Sequence, residues 1–225
     1  MRGLIYFRNA KTGGSSITHS VRSKGYSINK GYPKVGENCE DKLFIFPIRK
    51  RNIPVVLNDD NDCVKFTSIR NPWGRFVSGF NFMKQEGAIE DIGIESFILL
   101  VEKMRTEPRQ RTPEPFGNKG RKNRWQFIHN HVVLRQTEKL RELPTEERKK
   151  LHIIRYEKIN EGYSGLFKLI GATENSLRWY KRTATSFENG IPKPRDYYKE
   201  MLSDSDIERI AALFADDIEE FGYEY

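Results

Sequence analysis

A segment rich in glycine and serine, residues 11–16, carries the first chemistry that the sequence suggests. It reads Lys11-Thr12-Gly13-Gly14-Ser15-Ser16 and follows the β-prone apolar run from Leu4 to Phe7. Adjacent glycines let backbone N–H groups approach an anion, and the helix expected after them adds the positive end of its dipole. Because Lys11 contributes a full positive charge, the segment predicts a phosphate-binding loop.

The order of residues in this loop differs from that of the common nucleotide-binding loop. A Walker A motif places its lysine directly after the glycines, whereas Lys11 precedes Gly13 and Gly14. An ordinary P-loop enzyme is therefore disfavoured, and a kinase-like nucleotide enzyme is kept only as an alternative function. The structural alternative for this segment is a glycine-rich turn with a surface lysine.

A second candidate anion site lies around Arg70 and Ser78. Cys63 to Ile69 has the composition of a buried strand, so Arg70 is expected at its carboxyl end and Ser78 on the helix that follows. A guanidinium fork and a hydroxyl suit a terminal phosphate. We therefore predict that Arg70 and Ser78 bind one phosphate, and that Trp73 belongs to the core.

Short strand-like runs alternate with helical apolar stripes along the chain. The expected strands are Leu4–Phe7, Leu43–Ile48, Cys63–Ile69 and His152–Tyr156. One helix is expected directly after the loop. The others are expected at residues 76–83, at 92–104, in a segment that ends at Gly171, and from Ser203 or Ser205 to Gly222. This alternation predicts an α/β fold in one domain over residues 1–225, with a central, mostly parallel sheet flanked by helices and a P-loop-like phosphate loop after the first strand.

The composition of the chain limits which kinds of partner and which cellular compartment are expected. The chain has 225 residues and a net charge of +8, which favours an anionic partner such as nucleic acid, a nucleotide cofactor or an acidic glycan. No apolar run approaches the ~20 residues of a membrane span. We therefore expect a soluble, cytoplasmic protein. Cys39 and Cys63 are expected as reduced thiols, and neither has the spacing of a metal ligand.

The segment Arg105–Arg124 is dense in Arg, Lys, Pro and Gly. We predict that it is a loop that binds an anionic acceptor, and its alternative is a solvated loop without such a role. The charge also allows a basic nucleic-acid-binding protein as an alternative function. Because the chain contains no recognised reader motif, we expect no nucleic-acid partner.

The two anion motifs together resemble those of the sulfotransferases that use 3′-phosphoadenosine 5′-phosphosulfate (PAPS), and most closely the carbohydrate sulfotransferase branch, which is sulfotransferase family 2-like. The loop of the family commonly has the pattern P-K-T-[AG]-G-[ST]-S. This chain matches the pattern from Lys11 to Ser16 and has Ala10 where Pro is usual. The second family motif is matched by Arg70, Asn71, Pro72, Trp73, Arg75 and Ser78. Weaker similarity continues in residues 154–159 and 217–223.

The resemblance implies a sulfotransferase fold and a reaction without a metal. It implies that Lys11 contacts the oxygen bridging phosphate and sulfate, that the backbone amides of Gly13 to Ser16 hold the 5′-phosphate, and that Thr12 belongs to the same binding loop. It further implies that Arg70 and Ser78 hold the 3′-phosphate. The sulfuryl group would pass in line to a hydroxyl or amine of a glycan or other acceptor, leaving adenosine 3′,5′-bisphosphate (PAP).

The resemblance also implies a general base, which related enzymes supply as a Glu or His between the two motifs. Glu40 is the first candidate because it follows Lys11 at a similar spacing, and Glu37 stands beside it. His131 and His129 are alternatives with a suitable intrinsic pKa. The sequence leaves the choice open.

Overall fold

The computed structural model describes residues 2–30, 37–46, 63–107, 123–172, 187–188, 191–192 and 196–225. Their contacts divide the chain into two compact units. The first unit takes its residues from 1–70 and 136–181, and the second from 71–135 and 182–225. That all of them act as one domain stays a prediction.

A five-stranded parallel sheet forms the first unit, with the strand order β2-β3-β1-β4-β5. Its strands are β1 (Gly3–Phe7), β2 (Ser27–Lys30), β3 (Lys42–Phe46), β4 (Cys63–Ile69) and β5 (His152–Arg155). The predicted parallel sheet is confirmed. The sequence analysis missed β2, whose residues are only partly buried, and the predicted strand Leu43–Ile48 runs beyond the described residues after Phe46.

The central strand β1 reads Gly-Leu-Ile-Tyr-Phe and is buried at every position. Continuous burial is typical of a parallel strand covered by helices on both faces. The helices of this unit are α1 (Gly14–Arg22), α5 (Gln136–Leu140), α6 (Thr145–Lys149) and α7 (Ile159–Leu169). Apolar residues of α1 and α7, among them Ile17 and Leu166, pack with Tyr6 and Phe66 of the sheet in one core.

The topology singles out the carboxyl end of β1. The chain places β3 on one side of β1 and then β4 on the other. In parallel α/β sheets, ligands bind outside the carboxyl ends of the strands where the strand order reverses in this way. The loop that contains Lys11 leaves β1 at this point.

The second unit is built mainly from helices. They are α2 (Pro72–Gln85), α3 (Ile94–Thr106), α4 (Arg124–Ile128), a π-helix (His129–Val133), a 3-10 helix (Tyr197–Met201), α8 (Asp204–Leu213) and α9 (Ala215–Phe221). Strands β6 (Phe187–Glu188) and β7 (Ile191–Pro192) form a separate antiparallel pair. Phe76 packs at 5.4 Å from Phe97 and 6.2 Å from Phe214, measured between ring centroids.

Two sequence predictions about this unit are corrected. The helix expected from Ser203 or Ser205 to Gly222 is two helices, because Phe214 leaves the helical conformation with φ −120°. Arg105 is not in a loop, because α3 continues through it and its Nη1 donates to the Val133 carbonyl at 3.0 Å. Most of the segment predicted to bind an acceptor, residues 108–122, lies outside the described residues.

In the described part of the chain, no helix is both long enough and apolar enough to cross a membrane.

Candidate active site

The loop between β1 and α1 has an unusual backbone. Lys11 has φ 63° and Gly13 has φ 80°. A lysine in the left-handed region costs conformational energy and is found where the surrounding structure holds it, often at functional sites. The Gly13 carbonyl accepts the N–H groups of Ser16 and Ile17 at 2.9 and 3.1 Å, which starts α1.

Both loop glycines are required by their surroundings. A Cβ on Gly13 would lie 2.7 Å from Ile159 Cδ1, and one on Gly14 would lie 2.5 Å from the Tyr6 hydroxyl. These distances are shorter than any van der Waals contact allows. The loop backbone is therefore packed directly against α7 and the central strand.

The start of α1 is electrostatically positive. Among the described residues no side chain caps this helix, and its first turn contains no acidic residue. The first turn therefore presents backbone N–H groups and the positive end of the helix dipole, which together favour a bound anion.

A chain of buried hydroxyl groups anchors the loop to the sheet. Thr12 is fully buried, and its hydroxyl donates to the Asn9 carbonyl at 3.1 Å and lies 2.7 Å from Ser68 Oγ. Ser68 Oγ in turn lies 2.5 Å from Tyr6 Oη. Burial raises the pKa of Tyr6, so this hydroxyl keeps its proton as a hydrogen-bond donor. The Thr12 side chain thus positions the loop, which leaves its backbone as the part that can face a ligand.

Asn9 holds the beginning of the loop. Its Nδ2 donates to Thr67 Oγ1 at 3.3 Å and to the Ser68 carbonyl at 3.2 Å. Thr67 Oγ1 donates onward to the Phe7 carbonyl at 2.8 Å. The loop is therefore tied to the carboxyl ends of both β1 and β4.

Arg70 is held in place on both its backbone and its side chain. Gln136 accepts the Arg70 N–H at 2.8 Å and donates to the Arg70 carbonyl at 2.9 Å. The guanidinium lies 4.1 Å from the centroid of the Tyr156 ring, and its Nη1 donates to the Lys11 carbonyl at 3.4 Å. Two residues singled out in separate motifs, Lys11 and Arg70, thus meet at one edge of the sheet.

Arg8 is a further cation at this loop, and the sequence analysis missed it. Its side chain is exposed, and its Nη2 donates to Ser15 Oγ at 3.2 Å. A cation beside the N-terminus of a helix is electrostatically unfavourable unless an anion binds there. The signal in the sequence was its position directly after β1 and three residues before Lys11.

The residues between Arg70 and Ser78 organise the start of α2. Asn71 caps the helix by accepting the N–H groups of Trp73 and Gly74 at 3.1 and 3.3 Å. Trp73 is buried, as predicted, and its Nε1 donates to the Ile207 carbonyl at 2.9 Å. Arg75 Nη2 donates to the Leu134 carbonyl at 2.9 Å. Asn71, Trp73 and Arg75 therefore stabilise the second unit. Ser78, in contrast, is partly exposed on α2.

The structure does not bring Glu40 to Lys11. Glu40 is exposed and precedes β3, and its backbone N–H donates to Asn38 Oδ1 at 2.8 Å. Because Leu43 pairs with Leu4 in parallel, Glu40 lies at the amino edge of the sheet. Lys11 follows the carboxyl edge, and the length of β1, roughly 13 Å, separates these two edges of the sheet. Glu37 lies at the same amino edge, paired with Lys42 at 3.1 Å.

His131 has a defined tautomer. Its Nδ1 lies 2.7 Å from the Phe127 carbonyl, so Nδ1 carries the proton and Nε2 is the basic nitrogen of the neutral ring. The ring packs against Phe127 and Phe82, with centroids at 4.4 and 5.4 Å. His129, in contrast, stacks on Trp125 at 4.6 Å.

No group of three or more His, Cys, Asp or Glu side chains with the arrangement of a metal site occurs among the described residues.

Comparison with solved structures shows what the fold is similar to. A sulfotransferase from Alicyclobacillus acidocaldarius superposes with a TM-score of 0.53 at 12% identity, over 97% of this chain and 93% of that chain. The mouse sulfotransferase SULT7A1, solved in complex with PAP, aligns with a TM-score of 0.48 at 10% identity, over 96% of this chain and 85% of that chain. The first similarity confirms the predicted sulfotransferase fold.

Comparison with curated protein sequences finds no match. The sequence profile of the Sulfotransferase family matches residues 51–224. This range includes Arg70 and Ser78 and begins after the Lys11 loop, and it covers well over half of the chain. The protein therefore belongs to the Sulfotransferase family.

Proposed function

We propose that this protein transfers a sulfuryl group from PAPS to a hydroxyl or amine of a glycan or other acceptor. The proposal rests mainly on the hydrogen bond from the Arg70 guanidinium to the Lys11 carbonyl, at the carboxyl ends of β1 and β4. Cations and the positive start of α1 are concentrated there, and the first turn of the helix lacks acidic residues. A ligand that carries several negative charges is the natural complement.

The 5′-phosphosulfate of the donor is assigned to the loop. Backbone amides from Gly13 to Ser15 hold the phosphate, since the Ser16 N–H donates to the Gly13 carbonyl, and Lys11 faces the bridging oxygen. As the bond from sulfur to this oxygen breaks, the leaving phosphate gains negative charge, which a fixed ammonium group stabilises more than it stabilises the ground state. Arg8, next to Ser15, adds a second cation at this position. These groups neutralise the charge, so we propose that no metal takes part.

The 3′-phosphate is assigned to Arg70 and Ser78. Stacking on Tyr156 and the hydrogen bond to the Lys11 carbonyl hold the Arg70 side chain in one orientation. A preorganised guanidinium binds phosphate at a lower entropic cost than a mobile one does. On this assignment, we expect the protein to prefer a nucleotide that carries a second phosphate.

The acceptor oxygen or nitrogen attacks sulfur in line with the breaking bond, and its proton passes to a general base. We propose His131 Nε2 for this role, since Glu40 lies at the opposite edge of the sheet from Lys11. The net charge of +8 supports an acceptor that carries anionic groups, as acidic glycans do.

Two measurements test the proposal. In thermal shift assays, PAP should stabilise the protein more than ATP or single-stranded DNA does, because only PAP is a single nucleotide with a phosphate monoester at both its 5′ and its 3′ position. With PAPS and a panel of glycans, mass spectrometry should detect PAP together with a product heavier by one sulfuryl group, and Lys11→Ala should form both about 10² to 10³ times more slowly. Stabilisation by ATP or DNA alone would instead favour a kinase-like enzyme or a nucleic-acid-binding protein.

A further inference from the structure

The only two cysteines of the chain, Cys39 and Cys63, lie close together at the amino edge of the sheet. Cys63 begins β4 and pairs with Gly3 of β1. Cys39 precedes β3, which flanks β1 on its other side. The two cysteines thus approach Gly3 from the two neighbouring strands.

The atoms around Gly3 show how close the two cysteines lie to each other. A Cβ built on Gly3 would lie 2.5 Å from Cys39 Cβ and 2.8 Å from Cys63 Sγ. Cys39 Cβ and Cys63 Sγ are therefore within about 5 Å of each other, whereas in a disulfide, with its S–S bond of about 2.05 Å, this separation is about 3 Å. Rotation of Cys63 about χ1 moves its Sγ and can shorten the distance, and rotation of Cys39 about χ1 can turn its own Sγ toward Cys63. Any side chain at position 3 would separate the cysteines, so the glycine permits their approach.

The environments of the two thiols differ. Cys63 is partly exposed, whereas Cys39 is buried, with its Sγ donating to the Glu37 carbonyl at 3.3 Å. Neither is joined in a disulfide in this structure. A partly exposed cysteine beside a buried one suits a reaction in which the first meets an oxidant and the second resolves the product.

We propose that Cys39 and Cys63 form a redox-active pair that closes into an intramolecular disulfide when a hydroperoxide oxidises it. The Cys63 thiolate attacks the peroxide, breaks its O–O bond and becomes a sulfenic acid. The Cys39 thiolate then attacks the sulfenic sulfur, forms the S–S bond and releases water. With hydrogen peroxide, two thiols lose two electrons and two protons, and the oxidant is reduced to two molecules of water.

The disulfide links the start of β4 to the segment that leads into β3, across the central strand. A crosslink of this kind limits the conformations of the unfolded chain, and it should raise the melting temperature by several degrees. The pair lies at the edge of the sheet opposite to the Lys11 loop. Oxidation should therefore leave the affinity for PAP unchanged within a factor of two, which separates this proposal from the proposed function.

The test uses the full chain, first reduced and then treated with hydrogen peroxide. Alkylation with N-ethylmaleimide followed by intact mass measurement should add two adducts to the reduced protein and none to the oxidised protein. A non-reducing peptide map should contain a peptide that joins Cys39 to Cys63. Cys39→Ser and Cys63→Ser are matched controls, since each keeps one thiol and neither can form the crosslink or gain the rise in melting temperature.

Three results would overturn the proposal. The first is two remaining adducts at a peroxide concentration that fully oxidises free dithiothreitol. The second is a disulfide found only between two chains, and the third is oxidation that stops at sulfinic acid on Cys63 while Cys39 is still alkylated.

Discussion

Replacing Arg70 by alanine should remove the preference of this protein for a nucleotide with a 3′-phosphate. The substitution deletes a guanidinium that stacks at 4.1 Å on Tyr156 and donates to the Lys11 carbonyl. The Arg70 backbone is held separately by Gln136, at 2.8 and 2.9 Å. The strand end should therefore stay in place, and the change should act mainly on the ligand.

The expected magnitude follows from the environment of the side chain. Arg70 is 5% exposed, so its contact with a phosphate would be largely desolvated. A hydrogen bond to a charged group contributes about 1.5 to 3 kcal/mol, which corresponds to a change in Kd of about tenfold to 150-fold. Wild type should bind PAP more tightly than AMP by at least that lower factor. In Arg70→Ala the two affinities should converge, because AMP lacks the phosphate that Arg70 contacts.

Calorimetric titration of PAP and AMP against both proteins measures this difference directly. Arg70→Lys serves as a control, because it keeps the charge but loses the planar fork, and it should restore only part of the preference. A thermal melt checks that each variant is folded. Equal affinities of wild type for PAP and AMP would refute the 3′-phosphate site, and an equal loss for both nucleotides in Arg70→Ala would mean that Arg70 acts only by positioning the Lys11 loop.

Further predictions concern catalysis, the loop anchor and pH. Lys11→Ala should lower kcat by about 10² to 10³ while PAP affinity falls much less, as separate turnover and titration measurements would reveal; near-normal kcat would exclude its role at the leaving oxygen. His131→Ala should lower kcat by about 10² without weakening PAP binding, whereas Glu40→Gln should leave kcat nearly unchanged. The reverse pattern would show that Glu40, and not His131, is the general base. Ser68→Ala removes the hydroxyl 2.5 Å from Tyr6 Oη, and in urea unfolding it should cost about 1 to 3 kcal/mol, part of which the double variant with Tyr6→Phe regains. Burial, followed by the charge of Asp41, raises the pKa of Tyr26 to about 12. The protonated phenol therefore favours the folded state, and this stability is fully present below the ordinary tyrosine pKa of about 10 and is lost as pH rises toward 12. Tyr26→Phe should lose less stability over this range in pH-dependent melts, and an unchanged pH profile would contradict the assignment.

Local sequence patterns determined the parts of the fold that form from neighbouring residues. The run from Leu4 to Phe7, the loop after it and the strand Cys63–Ile69 were all predicted, because apolar periodicity and adjacent glycines act within a few residues along the chain. A serine cap for the helix near the C-terminus was predicted for the same reason, with Ser203 and Ser205 as the two candidates, and Ser203 is the cap. The break at Phe214 was not, since no proline or glycine marks it.

Tertiary structure alone decided which residues meet. The resemblance to related enzymes made Glu40 the first candidate for the base, because it follows Lys11 at a similar spacing. Parallel pairing of β3 with β1 nevertheless puts Glu40 at the far edge of the sheet. The clasp of Arg70 by Gln136 spans 66 positions of sequence. No local pattern contains such contacts, because strand order and helix packing, which minimise exposed apolar surface over the whole chain, bring these side chains together.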